Sequence, residues 1–339
     1  MRIFWVIKAR TAMFCLIACF ALLLILYSWN YAASAVIFRG KEPVIFLGQA
    51  LNPRAPDLED QVARLTESLK QAAIDAEYDS VNKSVIPDVN GFAIDVAATA
   101  AKIRGARKGA NIPPVWQETT AAKTLSDFAE LPVYQGNPIK NQASLVINVS
   151  WGDEFLQEML AILEEEKVNA SFFLVGRWAE KNGDLVKAII AHGHELGNHG
   201  YSDPHMKDMS AAAIKEEIIK TNEIITGMTG SKLKWFSPPY GEKVDKIYGA
   251  AAELGMQTVL WSLDTIDWTL PGEDEIVQRI ASNLHNGAII LMHPTEQTPG
   301  ALRRIIAAAR ERDLHLVTVG ELLNPSYWPQ KYSSLWLSK

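Results

Sequence analysis

Short apolar runs alternate with amphipathic stretches along the second half of this chain. From Ala143 onward, β-rich runs predict strands at Leu145–Val149, Ser171–Val175, Trp235–Ser237, Thr258–Ser262, Ala288–Met292 and Leu316–Val319. Between them, apolar positions recur at helical spacing. They predict helices over Glu154–Glu166, Leu185–Ala191, Ala211–Thr226, Val244–Glu253, Asp274–Leu284 and Ala301–Arg312. Repeated strand-then-helix order means a parallel sheet with crossover helices, as an open doubly wound sheet or a closed barrel. In either form, chemistry gathers at the C-terminal ends of the strands.

Residues 41–142 have a different texture. Leu58, Val62, Leu65, Leu69 and Ala72 mark one helix, opened by Pro56 and Asp57. A turn at Asn90-Gly91 precedes a short helix around Val96–Ile103, and Pro113-Pro114 and Gly136-Asn137-Pro138 read as loop. The stretch holds no histidine and no cysteine, which suits a small α or α+β module, or a stalk.

At the N-terminus the periodicity gives way to an unbroken apolar run. No charged residue occurs between Arg10 and Arg39. Residues 11–31 are long enough to span a bilayer, which takes about 20 apolar residues. Arg2, Lys8 and Arg10 precede the run, so an anchor would leave residues 1–10 in the cytoplasm and everything after it outside. Ala33-Ser34-Ala35 also fits a signal-peptidase site, and cleavage near Ala35 would release the same part as a secreted protein. The chain thus divides into 1–10, the anchor or signal 11–31, the module 41–142, an α/β domain 143–322 and a tail 323–339.

Charge and cysteine content narrow the function. The 339 residues carry a net charge of -6, so the basic face of a nucleic-acid binder is not expected. Both cysteines, Cys15 and Cys19, lie inside the apolar run, which excludes a disulfide scaffold and a thiolate metal site in the exported part.

All seven histidines fall between residues 192 and 315. The densest stretch runs from His192 to His205. Imidazole and carboxylate at short spacing are the usual ligands of zinc-like metals. His199 and Asp203 stand at i, i+4, the spacing of one side of a helical turn, with His205 as a further candidate. His192 and His194 suit the C-terminus of a helix instead. Polar residues follow other strands: Asn148-Val-Ser-Trp151-Gly-Asp153, Ser237-Pro-Pro-Tyr240-Gly, Asp264-Thr-Ile-Asp267-Trp268 and Leu291-Met-His293.

The order of these motifs resembles the polysaccharide deacetylase family, also called the NodB-homology or carbohydrate esterase family 4 domain. Gly197-Asn198-His199, Pro238-Pro239-Tyr240-Gly241, Asp267-Trp268, Leu291-Met292-His293 and the closing Leu316–Leu322 stretch carry the likeness, over roughly 143–320. The Ser-Trp-Gly-Asp form of the first motif and the N-terminal layout resemble the sporulation-associated branch. The resemblance implies a distorted (β/α) barrel and hydrolysis of N-acetyl groups on a glycan such as peptidoglycan. It implies a divalent metal of the zinc type, held in the family by two His and one Asp. By position, His199 is a metal ligand, His293 the general acid, Asp267 its partner, and Tyr240 the donor of an oxyanion N–H. Trp151, Trp268 and Leu291 would line the acetyl and sugar pocket.

The departures from the family pattern are equally specific. The family's first motif offers two adjacent acids, a base and a metal ligand. Here the base position reads as Asn148, and the next acid is Asp153. Asp153 either curls back as ligand or substitute base, or caps the helix that follows. The family's second ligand His is Asp203, which can itself ligate or be replaced by His205. Ser237 stands where the family has an Arg that steadies the base. Two readings follow. One is a working deacetylase that uses Asp153. The other is a weak or inactive deacetylase-fold protein that binds wall glycan or a partner.

Overall fold

The structure is a computed structural model describing residues 43–327. The predicted membrane segment 11–31 and most of the tail lie outside the described residues. Among the described residues no helix is long and apolar enough to cross a membrane.

The described chain divides into two compact units, one of residues 43–71 and 92–118, the other of residues 72–91 and 119–327. In the smaller unit the hairpin Val44–Phe46/Gln49–Leu51 packs on the helices Leu58–Thr66 and Val96–Gly105. Val44, Phe46, Leu58, Val62, Ala100 and Ile103 are its buried core. Both expected helices are present, and the module is α+β. Residues 72–91 and 119–142, which composition groups with this module, belong to the larger unit. Long-range bonds hold them there: Val133 N donates to Thr258 O at 2.9 Å, and Asn90 N donates to Pro325 O at 2.9 Å.

The larger unit is built on eight strands: β1 (Gln142–Val149), β2 (Ser171–Leu174), β3 (Glu195–Asn198), β4 (Trp235–Phe236), β5 (Gln257–Thr258), β6 (Leu263–Asp264), β7 (Ile289–Met292) and β8 (His315–Val317). All pairs are parallel, in the order β5-β4-β3-β2-β1-β7-β6, with β8 paired to the start of β1. The sheet curls into an incomplete barrel. Val133 and Gln135 bridge Val259 and Ala288, between the β5 side and the start of β7.

The helices are α1 (Asp153–Glu165), α2 (Gly176–Lys181), α3 (Gly183–Ala191), α4 (Ala211–Thr229), α5 (Asp245–Glu253), α6 (Glu273–Ala281), α7 (Thr298–Glu311) and α8 (Val319–Leu322). Helix α4 starts where Ser210 accepts from Ala213 N and stops at Gly230, whose φ of 71° a side chain would resist. Alternation along β1 explains the layering. Leu145, Ile147 and Val149 pack outward on the helices, while Val146 packs inward with Phe173, Ile289 and Leu291.

Two elements escape the apolar pattern. Strand β3 reads Glu-Leu-Gly-Asn, and a Cβ on Gly197 would lie 2.5 Å from the Phe173 ring, so glycine stands where an apolar residue would signal a strand. Helix α2 is six residues long, too short to show a period. The His199–Asp203 spacing is not helical: both residues lie in the loop after β3, and Asp203 has φ 60°.

One buried cation belongs to the fold. Lys140 is fully buried, and its Nζ donates to Leu322 O at 2.7 Å and to Asn324 O, closing the end of α8. Burial pushes its pKa down to about 8, against the pull of Asp88.

Candidate functional site

The C-terminal strand ends surround one pocket of about 470 Å³. Asn148, Ser150 and Trp151 come from the end of β1, His199 and Asp203 from the loop after β3, and Tyr240 from the turn after β4. Trp261, Asp264 and Trp268 come from the β6 region, and Leu291 and His293 from β7. The structure therefore brings together His199, Asp203, Tyr240, Trp151, Trp268, Leu291 and His293 around one pocket.

His199 is buried, and its Nδ1 donates to Ser237 O at 2.7 Å. A carbonyl only accepts, so the proton sits on Nδ1 and Nε2 is left as an acceptor. Burial pushes the His199 pKa down to about 4, the Ser237 bond opposing and nearby His293 reinforcing. The loop carrying Asp203 is clamped by Glu217 of α4, which accepts from Tyr201 N at 2.8 Å, Ser202 N at 2.7 Å and Ser202 Oγ at 2.9 Å. Burial raises the Asp203 carboxyl above its ordinary value, while Arg177, His205 and His293 pull it back. The Asp203 side chain accepts no hydrogen bond among the described residues.

Asp267 is fully buried and saturated with donors. It accepts from His293 Nδ1 at 2.9 Å, His293 N at 2.7 Å and Thr298 Oγ1 at 2.9 Å. His293 is thus fixed with Nε2 free, and its ring lies 6.3 Å from that of Trp151 with only 6° between the planes. The expected His293–Asp267 pair is present.

Two candidates point elsewhere. Asp153 is the first residue of α1, and its carboxylate accepts from Trp178 Nε1 of α2. It lines no part of the pocket, so it is neither ligand nor base here. The helix cap is Gly152 instead, at φ 82°, where an added Cβ would lie 2.0 Å from Pro294 O. That contact allows only glycine and turns the chain away from the pocket. His205 is also engaged outside: its Nδ1 bonds Glu242 at 2.9 Å, and its ring stacks on Tyr240 at 4.1 Å.

The two degenerate positions are buried, and Asn148 Oδ1 and Ser237 Oγ both lack a partner among the described residues. Asn148 sits one inward pleat below Ser150, about 6–7 Å deeper along the strand. The adjacent residues at the mouth are therefore Ser150 and Trp151, not Asn148. Ser150, Trp261 and Asp264 lie in or beside the strand-end motifs but carry no role legible in the sequence, and the positioning residues Glu217 and Thr298 have no sequence signal. Counting two residues on from Asn148 along the strand finds Ser150. The others depend on folding.

A zinc-type site needs three protein ligands at about 2.0–2.2 Å. His199 and Asp203 offer donors in the pocket, and His293 Nε2 lines it too but does not converge with them on one point. The oxygens of Asp264 are taken by Trp261 Nε1 at 3.2 Å and Ile266 N at 2.9 Å. Among the described residues no group of three His, Cys, Asp or Glu converges on one point. The residues do not fit the metal that the family implies.

The buried imidazoles set an acid limit on stability. His194, buried before β3, also has its pKa pushed down by burial to about 4. Unfolded histidine titrates near 6.5, so between about pH 6.5 and 4 the unfolded chain binds more protons. Stability present above pH 6.5 is lost as pH falls toward 4, on the order of 3 kcal/mol per imidazole. Thermal unfolding across this range should show the decline, and His194→Gln should remove roughly half of it.

Comparison with known proteins agrees with this geometry. The sequence model of the family described as Polysaccharide deacetylase matches residues 135–259. The Bacillus subtilis (strain 168) protein YlxY, itself uncharacterized, is 39% identical over 249 residues, 74% of this chain and 78% of its own. A peptidoglycan-N-acetylglucosamine deacetylase of Bacillus cereus is 33% identical over 193 residues, covering 55% of this chain and 70% of the relative. Among solved structures, a CE4 family pseudoenzyme from Bacillus anthracis matches with TM-score 0.69 and 34% identity, over 80% of this chain and 96% of the other. A mutant of that pseudoenzyme described as having restored enzymatic activity also matches with TM-score 0.69. With the curled parallel sheet, the His293–Asp267 pair and the His199 loop in place, this chain belongs to the polysaccharide deacetylase family, carbohydrate esterase family 4.

Proposed function

We propose that this protein binds cell-wall glycan of the peptidoglycan type and does not itself remove N-acetyl groups at a useful rate. One observation carries the reading: the end of β1 presents Asn148, Ser150 and Trp151 to the pocket, and no carboxylate. His199 and Asp203 are left without a third ligand, and no general base stands in the pocket in the family's manner. Loss of a general base alone costs about 10²–10⁴ in rate.

The pocket is nonetheless held in a costly shape. Asp203, Tyr240 and Ile266 all take left-handed backbone angles, at φ 60°, 60° and 54°. Such residues cost of order 1–3 kcal/mol each and cluster at ligand clamps. Ile266 is β-branched, the least tolerant type there. Exposed Trp151, Tyr240 and Trp268 suit stacking on sugar rings. The deacetylase and pseudoenzyme relatives support both the glycan and the loss of turnover. The apolar segment 11–31 would tether the protein outside the membrane, or cleavage near Ala35 would release it. Wall-facing placement suits either outcome, as does a role in sporulation.

The reading that keeps zinc and turnover rests on the retained His199, Asp267, Trp268 and His293. Acetate release from peptidoglycan, measured with added zinc beside sedimentation with insoluble peptidoglycan, separates the two. The expected result is co-sedimentation, with acetate release at least about 10²-fold below that of an active peptidoglycan deacetylase. Release at a comparable rate overturns the proposal.

A further inference from the structure

The pocket has an unusual chemical balance for a site that would take a neutral acetamide. It is walled by four aromatic side chains, Trp151, Tyr240, Trp261 and Trp268, and no Lys or Arg lines it. Its interior polar atoms include several acceptors beside the Ser150 hydroxyl and the His293 ring. His199 Nε2 is an acceptor because Nδ1 donates to Ser237 O. The Asp203 carboxylate accepts no hydrogen bond among the described residues, while Asp264 adds negative charge although each of its oxygens already accepts one bond, from Trp261 Nε1 and Ile266 N. Asn148, only 5% exposed, presents an Oδ1 with no partner among the described residues. An unpaired buried acceptor is unfavourable until a donor reaches it. Arg177, a cation that acts on Asp203, is directed to Ser202 O at 3.4 Å and stays outside the lining.

Carboxylates and aromatic faces together recognise ammonium groups. A primary ammonium has three donors and no acceptor, which matches this set. An N-acetyl group would bring a carbonyl, an acceptor, to a floor already rich in acceptors. The geometry points to a ligand that is the free, protonated 2-amino group of a de-N-acetylated glycan. The pocket then reads the product of N-deacetylation, and a separate deacetylation reaction must supply it. The inference rests on the glycan-binding reading above and names the acetylation state of the bound sugar.

Isothermal titration of the purified full-length protein, near neutral pH with chelator present, tests this. The probes are a tetramer of glucosamine and the tetramer of N-acetylglucosamine. The expected result is binding of the amine tetramer at least ten-fold tighter. Asp203→Asn and Trp268→Ala should each weaken amine binding about ten-fold while thermal unfolding stays unchanged. Trp268→Ala alters no charge, so unchanged amine binding in that variant would mean general attraction to an acidic protein and overturn the inference. Equal or tighter binding of the N-acetylated tetramer overturns it while leaving the glycan-binding reading intact. Binding of neither overturns both.

Discussion

Replacing Ser150 and Trp151 together by aspartate should let the protein hold about one zinc ion per chain. The two positions are adjacent, lie at the mouth end of β1 and line the same pocket as His199 and Asp203. With one carboxylate added to His199 Nε2 and Asp203, the donor set reaches the three ligands that a catalytic zinc site requires. The second carboxylate supplies the missing base. Acetate release from N-acetylated chitooligosaccharide should then rise by about 10²–10⁴ over the parent. Neither single variant should gain as much, because ligand and base act as a unit. Elemental analysis and an acetate assay on the parent, both singles and the double check this. A double variant that folds but binds no zinc would show that the strand end does not face the His199 loop closely enough.

Asp267→Ala should produce the largest loss of stability of any single change at the site, about 3 kcal/mol. The carboxylate is fully buried and accepts from the backbone and ring of His293 and from Thr298, so its removal strands three donors. Asp267→Asn keeps the volume and one acceptor oxygen and should cost roughly half as much. Urea unfolding of the three proteins measures the difference. Equal stability of the Ala variant and the parent would contradict the role assigned to this pair. The prediction holds whether or not the site turns over substrate, since the cost lies in the folded state.

Much of this architecture is visible in the chain itself. Runs such as Leu145–Val149 and Ala288–Met292 are apolar throughout because both faces of a parallel strand are covered. The amphipathic stretches between them could only be crossover helices. The motif order then places His199, Tyr240, Asp267 and His293 at strand ends, and the structure gathers them. What stayed hidden depends on contacts between distant residues. Strand β3 is masked by Gly197, which is glycine because Phe173 fills the space above it. Asp153 has the spacing of a substitute ligand, but its Trp178 bond and the Gly152 turn against Pro294 come from other elements. The depth of Asn148 below Ser150 follows from strand alternation, yet which pleat reaches the mouth is set by where β1 ends. The unit boundary was hidden for the same reason, since Asn90 N donates to Pro325 O across the sequence of the whole domain.

On the proposed reading, this pocket has kept its shape and lost its metal chemistry. Metal content of the purified full-length protein, before and after incubation with excess zinc and beside its His199→Ala variant, tests it most directly. The account predicts well under one ion per chain in both proteins, with no difference between them. About one zinc per chain in the parent, lost in the variant, would contradict it and restore the metal-dependent deacetylase reading.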